Sequence, residues 1–270
     1  GWENDKMNGK GTFIYSDGRK YDGDFRDDSF HGQGTFRYSN GSLYTGDWKN
    51  DKQEGHGTLT YLDGETYVGE WKNGKMSGDG IYTYTNGNSY DGKFLDGMKN
   101  GQGIFTFTNG NEYVGAWKND KKNGQGTFIY SNGEKYIGEW KNGKMEGHGT
   151  FNFKNGDQYE GDWKDDQAHG QGTFRYSTGN TYVGELKKDK RDGRGTINYL
   201  NGDSYDGDWK NDHVHGEGIF TNAAGDKYEG DWKNDKKDGQ GIFISQIGDR
   251  YEGDWKNDKM NGKGTFVYSD

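Results

Sequence analysis

The sequence predicts an all-β fold, an elongated single-layer antiparallel β-meander of tandem hairpins that forms a twisted and curved ribbon. Three observations predict it. Tyrosines recur every 23 residues from Tyr21 to Tyr251 without insertion or deletion, which identifies a repeat array. Around each tyrosine, apolar and polar residues alternate with the period of two that is typical of strands. Asn-Gly and Asp-Gly pairs separate these segments and favour tight turns.

The positions of one repeat are numbered as columns, with the recurring tyrosine at column 1. Glycine occupies columns 3, 12, 14 and 21, and columns 16 and 18 are usually aromatic. Column 5 is Trp in most copies and is replaced by Phe25, Phe94 and Leu186 in the others. Because glycine has no side chain, columns 3, 12 and 14 are predicted to let the backbone bend and to let neighbouring rings lie flat over it.

Two strands are predicted in each repeat. Columns 1 to 5 form the first, as in residues 159–163, where Tyr159 and Trp163 share one face. Columns 14 to 18 form the second, as in residues 126–130. The segment between them is rich in Lys, Asn, Asp and Gly, which predicts a turn. Each repeat is therefore predicted to be one β-hairpin, and the Asn-Gly or Asp-Gly pair at columns 20 and 21 is predicted to provide the tight turn into the next.

Residues 1–270 are predicted to form a single repeat array. It contains twelve copies, and the first and last are expected to be truncated, because the chain enters the repeat at column 4 and leaves it at column 20. The natural N-terminus is accordingly expected to lie outside this sequence. The copies start at about residues 1, 21, 44, 67, 90, 113, 136, 159, 182, 205, 228 and 251.

The composition favours a folded chain whose core is aromatic. Only 27% of the residues are hydrophobic, which alone would suit disorder, but 16% are aromatic, 50 are glycine and none is proline. The formal net charge of -9 provides no attraction for nucleic acid, so nucleic acid is not expected as a partner. Cysteine is absent, which excludes disulfides and thiolate chemistry.

The pattern Tyr-x-Gly-x-Trp, then Gly-x-Gly, then an aromatic pair and Asn/Asp-Gly, at a period of 23, resembles the MORN (membrane occupation and recognition nexus) repeat over the whole chain. The resemblance implies a curved single-layer sheet of hairpins and an adaptor rather than an enzyme. Members of this family scaffold cytoskeletal and membrane-junction assemblies, often dimerise, and in several cases hold a partner helix along an aromatic groove. It therefore implies a non-catalytic protein-binding scaffold with a cytoplasmic, cytoskeletal or membrane-associated location.

The aromatic columns are the predicted partner-binding face. A single-layer sheet is expected to leave one side of its rings partly exposed, and contiguous exposed aromatic surface usually marks a binding site. The competing interpretation is that the rings only hold one repeat to the next, and both interpretations can apply to one ring. The residues predicted to contact a partner are Tyr113, Trp117, Tyr136, Trp140, Tyr159 and Trp163.

Three other functions stay open. Lysine-rich turns could meet anionic phospholipid, although neighbouring Asp and Glu favour a solvated surface of mixed charge. The array could be the targeting arm of an enzyme whose catalytic domain lies outside this sequence. It could also self-associate into a homodimer or larger homo-oligomer through exposed strand edges. The turn lysines are Lys118, Lys121, Lys122, Lys233, Lys236 and Lys237.

No metal, cofactor or catalytic site is predicted. The six histidines scatter over columns 9, 11 and 13, and only His213 and His215 are close together, without a third ligand. The Gly-x-Gly pairs lack the third glycine of a dinucleotide-binding loop. The stretch 220–247 interrupts the aromatic pattern, because column 18 is Asn222 and Ser245 there. It is predicted to bend, to be a weak point or to carry a specific contact.

Overall fold

The computed structural model describes residues 2–269, which form β-strands and turns. Within this range no helical segment has the length and apolar character that crossing a membrane would require. The strands are β1 Trp2–Glu3, β2 Lys6–Met7, β3 Gly9–Ile14, β4 Lys20–Arg26, β5 Ser29–Arg37, β6 Leu43–Lys49, β7 Lys52–Thr60, β8 Thr66–Lys72, β9 Lys75–Thr83, β10 Ser89–Leu95, β11 Met98–Thr106, β12 Glu112–Lys118, β13 Lys121–Ile129, β14 Lys135–Lys141, β15 Lys144–Asn152, β16 Gln158–Lys164, β17 Gln167–Arg175, β18 Thr181–Lys187, β19 Lys190–Asn198, β20 Ser204–Lys210, β21 His213–Thr221, β22 Lys227–Lys233, β23 Lys236–Ile244, β24 Arg250–Lys256 and β25 Lys259–Val267.

The chain divides into two compact units. The first contains the described residues up to Ser131 together with Trp140–Gly143, and the second contains Asn132–Glu139 and the described residues from Lys144 onward. In the first unit each strand from β3 to β13 pairs antiparallel with the next along the chain. In the second unit the strands from β15 to β25 do the same. The all-β antiparallel meander is therefore confirmed, whereas a single array over residues 1–270 stays a prediction.

Each repeat is one hairpin with a shorter turn and a longer second strand than the sequence predicted. In the copy that starts at Tyr113, β12 is joined to β13 by only Asn119 and Asp120, whose φ angles of 48° and 63° are both left-handed. Two such residues form the type I′ turn that matches the twist of a hairpin. The second strand thus begins at column 9 instead of column 14, and Lys121 belongs to the strand.

The Asn-Gly pairs at columns 20 and 21 belong to a wider turn than the predicted two-residue one. The Phe107 N–H donates to the Asn111 carbonyl at 2.9 Å, and the Gly110 N–H donates to the Phe107 carbonyl at 3.0 Å. The Asn109 side chain accepts from the Asn111 N–H at 3.1 Å, and Gly110 takes the left-handed φ of 85°. The tight turn of the repeat is therefore at columns 7 and 8, and columns 18 to 22 connect one hairpin to the next.

A bulge divides each hairpin from β4 to β13 and from β16 to β25 into two segments. In the copy that starts at Tyr113, Gly115 pairs with Gly126, but the next pair is Trp117 with Lys122, so the second strand carries two extra residues there. Gly124, at column 12, lies inside this bulge with a φ of 97°. Column 12 is therefore glycine because the bulge requires a left-handed backbone, as the sequence predicted for a bend.

The core is built from column-1 tyrosines that lie on glycines. Tyr113 is fully buried, and a Cβ added to Gly115 would lie 2.7 Å from its Oη. A Cβ added to Gly126, on the paired strand, would lie 2.6 Å from the ring atoms Cε2 and Cζ. Columns 3 and 14 are therefore glycine because the ring occupies the space of a side chain, which confirms the predicted packing.

The stretch 220–247 keeps the turn that the other copies have. The Asn222 side-chain oxygen accepts from the Asp226 N–H at 2.8 Å, which is the amide that an Asn at column 20 caps elsewhere. The Ser245 Oγ accepts from the Asp249 N–H at 3.0 Å in the same way. A polar side chain at column 18 thus replaces the missing cap at column 20, where the residue is Ala224 in the first of these copies.

Candidate functional site

The six rings predicted to contact a partner lie in the buried layer of the aromatic face. Tyr113, Trp117 and Trp140 are 0%, 7% and 5% exposed in the first unit. In the second unit, Tyr136, Tyr159 and Trp163 are 0%, 1% and 7% exposed. The expectation that one side of these rings stays exposed is therefore wrong. Their assignment to a partner site stays a prediction, and their first role is to hold one repeat to the next.

Edge-to-face ring contacts connect these residues within each unit. The Tyr113 ring meets the Trp117 ring of its own copy and the Trp140 ring of the following copy, both with centroids 5.2 Å apart and with interplanar angles of 89° and 82°. In the second unit, the Trp163 ring lies 5.2 Å from both the Tyr136 and the Tyr159 rings. This geometry is the one that aromatic quadrupoles favour.

Hydrogen bonds fix the polar atoms of the same rings. The Tyr113 Oη donates to the Ala116 carbonyl at 3.0 Å, inside its own strand. The Trp140 Nε1–H donates to the carbonyl of Gly126 at 3.2 Å, which ties the indole of one copy to the glycine strand of the copy before it. Burial raises the pKa of the Tyr113 phenol, so this hydroxyl stays protonated and keeps donating at alkaline pH.

The accessible part of the aromatic face is the line of column-18 rings, which we call the ring row. These rings are half-buried, and Tyr199 is 36% exposed. Column-16 rings connect neighbouring members in part of the row: in the first unit the Phe105 ring lies 5.7 Å from the Tyr84 ring and 4.6 Å from the Phe107 ring. Column 16 is Leu59 between Tyr38 and Tyr61 and Ile197 between Tyr176 and Tyr199. Its members are Tyr15, Tyr38, Tyr61, Tyr84, Phe107 and Tyr130 in the first unit and Phe153, Tyr176 and Tyr199 in the second. The column-18 ring of Tyr268, which is 75% exposed, follows the two copies with Asn222 and Ser245 and is not counted in the row.

The sequence pattern does not separate the half-exposed rings of the ring row from the buried rings. Columns 1, 5 and 18 are all aromatic in most copies, so aromatic character alone does not separate buried rings from exposed ones. The available signal was position: the strand ends at column 17, and column 18 begins the connection to the next hairpin. Columns 1 and 5, by contrast, lie beside glycines, which mark positions where a ring is covered.

Column 10 places variable side chains against the buried rings. In four copies this residue is cationic, namely Lys99, Lys122, Arg191 and Lys237. The Lys99 side chain is 12% exposed, and its Nζ donates to the Tyr84 Oη at 2.9 Å. Cations over aromatic faces gain energy from the ring quadrupole, more so where water is excluded.

The turn lysines were expected to form a solvated surface, but two of them lie against aromatic rings. The Lys122 Nζ lies 4.2 Å from the centre of the Trp140 ring and 4.4 Å from that of the Phe128 ring. The Lys237 Nζ lies 4.7 Å from the centre of the Tyr228 ring, and burial lowers the pKa of its ammonium group. Both residues face the rings because column 10 lies on the aromatic face of the second strand.

Within the described range 2–269, no group of three or more His, Cys, Asp and Glu side chains could hold a metal ion. The His213 Nδ1 lies 2.5 Å from an Asp235 carboxylate oxygen, and the Nδ1 atoms of His31 and His215 are buried with no hydrogen-bond partner.

Comparisons with known proteins agree with the repeat pattern. The family model described as "MORN repeat" matches residues 1–18, 21–43, 44–66, 67–89, 90–112, 113–135, 136–158, 159–181, 182–204, 205–227, 228–250 and 251–270. No curated protein sequence matches the chain.

The chain also has distant structural likenesses. One is the TCP domain of SAS-4 (dCPAP) from Drosophila melanogaster in complex with a proline-rich motif of Ana2, with 14% identity, a TM-score of 0.34, and 74% of this chain and 90% of that chain covered. Another is the TCP10 domain of CPAP from Danio rerio in complex with a STIL peptide, with 12% identity, a TM-score of 0.32, and 96% and 97% covered. A virginiamycin B lyase from Staphylococcus aureus follows, with 11% identity, a TM-score of 0.15, and 90% and 93% covered. TM-scores of this size carry no function over to this chain.

Proposed function

Since the chain belongs to the MORN repeat family, we propose that it is a non-catalytic scaffold that binds a protein segment along the ring row, within a cytoskeletal or membrane-associated assembly. The observation that supports this proposal is the row itself. Half-exposed aromatic rings that follow one another across copies form the kind of surface on which binding energy concentrates. Within each unit the buried rings are proposed to form the floor of that surface, namely Tyr113, Trp117 and Trp140 in the first and Tyr136, Tyr159 and Trp163 in the second.

An amphipathic helix suits the spacing of the ring row. Two strands per repeat at about 4.8 Å each place equivalent rings about 10 Å apart. A helix rises about 1.5 Å per residue, so residues seven apart are also separated by about 10 Å. A partner helix that runs along the ring row would therefore present one apolar side chain to each copy. Helices that bind in a hydrophobic groove contact it through residues at positions i, i+3, i+4 and i+7, which include residues seven apart.

The proposal is tested by the affinity of a captured partner. A photoreactive amino acid in place of Tyr84 is expected to crosslink to the partner segment. The same amino acid in place of Val68, on the opposite face of the sheet, is the control. The segment is then made as a peptide, and its affinity is measured by calorimetry for the wild type and for Tyr84→Ala with Phe107→Ala. Loss of two central rings is expected to weaken binding at least about tenfold.

A matched control removes exposed side chains from the other face. Val68 and Ile81 are 50% and 46% exposed and pair across strands β8 and β9. The variant Val68→Ala with Ile81→Ala is expected to bind as the wild type does. Equal binding by the ring-row variant, with an unchanged circular dichroism spectrum, would show that the aromatic face is not the binding surface. If the chain binds anionic lipid vesicles and no peptide, this result would count against a protein partner.

A further inference from the structure

A carboxylate closes most junctions between consecutive copies. The column-8 aspartate of one copy accepts a hydrogen bond from the column-10 backbone N–H of the copy before it. For example, the Asp120 Oδ1 accepts from the Lys99 N–H at 2.9 Å, and the Asp235 Oδ1 accepts from the Val214 N–H at 2.7 Å. The other aspartates that make this bond are Asp28, Asp51, Asp166, Asp189, Asp212 and Asp258.

Two consecutive junctions in the first unit lack this carboxylate because column 8 is Gly74 and then Gly97. The turns are otherwise placed as in the other copies, since the Gly74 N–H donates to the Gln53 carbonyl and the Gly97 N–H donates to the Met76 carbonyl, both at 2.9 Å. The column-10 amides here are those of Gln53 and Met76, and no column-8 carboxylate caps them. We call the space at these two junctions the glycine notch.

A cavity of about 290 Å³ opens at the glycine notch. Aromatic and apolar side chains form its walls, and the Lys75 side chain lies at its edge. The Lys75 Nζ is 3.4 Å from an Asp96 carboxylate oxygen, but both side chains are more than half exposed, so this ion pair is weak and Lys75 is available to another anion. The residues that line the cavity are Tyr38, Gln53, Leu59, Tyr61, Trp71, Gly74, Lys75, Met76 and Gly97.

The two amides of the glycine notch are not equally open. The Gln53 Nε2 donates to the Tyr38 Oη at 2.6 Å, and its Oε1 lies 3.3 Å from the position that a Cβ on Gly74 would take. The Met76 methyl is 4.0 Å from the corresponding position on Gly97. The space at the second junction is therefore less crowded, and the Gln53 side-chain amide must turn slightly to admit a ligand at the first junction.

We propose that the glycine notch binds a carboxylate side chain, Asp or Glu, of the partner segment, and that this carboxylate takes the place of the missing column-8 aspartate. The chain itself is the template, because the same amide accepts a carboxylate at the neighbouring junctions with the same backbone arrangement. Hydrogen bonds to an ionised acceptor are stronger than neutral ones. This inference rests on the proposed function, since the carboxylate belongs to the partner on the ring row.

The net charge of the chain limits what kind of acidic partner fits. A formal charge of -9 repels a strongly acidic segment at long range. The glycine notch therefore selects one carboxylate at a defined place in a largely apolar segment. The walls formed by Tyr38, Tyr61 and Trp71 require an apolar or aromatic residue beside that carboxylate.

The test introduces aspartate at the two column-8 glycines, so that the chain's own carboxylates occupy the glycine notch. Aspartate at column 8 has φ angles such as 63° at Asp120 and 72° at Asp212, close to the 80° of Gly74 and the 86° of Gly97. The variant Gly74→Asp with Gly97→Asp should therefore fold, raise the melting temperature, and cap the Gln53 and Met76 amides. The matched control is Gly143→Asp, which changes the remaining column-8 glycine among the described copies.

The probes are the dipeptides N-acetyl-Phe-Asp-amide and N-acetyl-Phe-Asn-amide, titrated into the isotope-labelled chain while amide chemical shifts are recorded. The Asp dipeptide is expected to shift the Met76 and Gln53 amides and to bind at least about tenfold more tightly than the Asn dipeptide. The Gly143→Asp control should respond as the wild type does, and the double aspartate variant should show neither shift. Equal binding of the two dipeptides, shifts that persist in the double variant, or no shift at these amides up to about 10 mM would each overturn the proposal.

The captured partner separates this proposal from the proposed function. If the double aspartate variant binds the partner peptide as tightly as the wild type while the ring-row variant loses it, the scaffold function stands and the glycine notch is refuted. If both variants bind as the wild type does, the proposed function fails as well. If both lose affinity at least about tenfold, the partner uses the ring row and the notch together.

Discussion

Replacing Gly126 by Ala is expected to destabilise the chain strongly, because the new methyl group would enter the Tyr113 ring. The added Cβ would lie 2.6 Å from the ring atoms Cε2 and Cζ, whereas carbon atoms in contact are separated by about 3.5 to 4.0 Å. The ring therefore has to move by about 1 Å. It has little room to do so, because it is fully buried and lies edge-to-face against Trp117 and Trp140.

The magnitude follows from two contributions. Adding a methyl group to a well-packed core costs about 1 to 3 kcal/mol. A ring shift of about 1 Å also stretches the 3.0 Å hydrogen bond from the Tyr113 Oη to the Ala116 carbonyl, and an unsatisfied buried acceptor costs about 1 to 3 kcal/mol. The backbone entropy gained on replacing Gly by Ala offsets about 0.5 to 1 kcal/mol. Gly126→Ala should therefore lower the free energy of unfolding by about 3 kcal/mol.

Urea denaturation followed by tryptophan fluorescence measures this cost. Gly133→Ala is the control for backbone strain, since a Cβ there meets nothing within 4 Å but the φ of 93° is left-handed, for which about 1 to 2 kcal/mol is expected. In a Tyr113→Ala background the added methyl of Gly126→Ala has no ring to meet and should cost less than about 1 kcal/mol. A cost for Gly126→Ala that is unchanged in that background would refute the reasoning.

Three further outcomes are expected. Trp140→Phe removes the indole donor to the Gly126 carbonyl and should lower the free energy of unfolding by about 1 kcal/mol in the same denaturation assay. Burial raises the pKa of column-1 tyrosines such as Tyr113, so the stability they provide is fully present below the unfolded pKa of about 10 and is lost as pH rises above it. Thermal melts from pH 8 to 11 check this, and an unchanged melting temperature would contradict it. Asn222→Ala should lower the melting temperature by removing the bond to the Asp226 N–H, and Ala224→Asn should restore it.

The repeat period and the residue types were enough to predict the hairpin and the role of its glycines. A ring at column 1 and glycines at columns 3 and 14 are mutually dependent, because the ring occupies the space that a side chain would fill. Such a dependence appears in the sequence as a fixed column. The turns were harder to place, because Asn, Asp and Gly occur at columns 7 and 8 as well as at columns 20 and 21, and composition does not reveal which pair takes two left-handed residues.

The aromatic face was predicted from the sequence, but the burial of its column-1 and column-5 rings was not. Sequence shows that Tyr113 and Trp117 share a face, yet their burial depends on backbone twist at the bulge and on the rings of the following copy. These contacts lie between residues 14 to 27 positions apart, such as Trp140 with Gly126 and Tyr113 with Trp140. A pattern of alternation within one strand contains no information about them.

Recognition on a periodic scaffold has to come from the columns that vary. The column-1 and column-3 residues are the same in every described copy, so they cannot tell a partner where along the chain to bind. Column 10 changes from Phe30 to Lys99 to Ala168, each against the equivalent buried rings of its copy. Column 8 is aspartate in most copies and glycine in three. The glycine notch arises where two consecutive copies lack the same carboxylate, whereas Gly143 leaves a single junction without it. A partner with one suitably placed carboxylate is therefore restricted to the few registers that bring this carboxylate to a column-8 glycine.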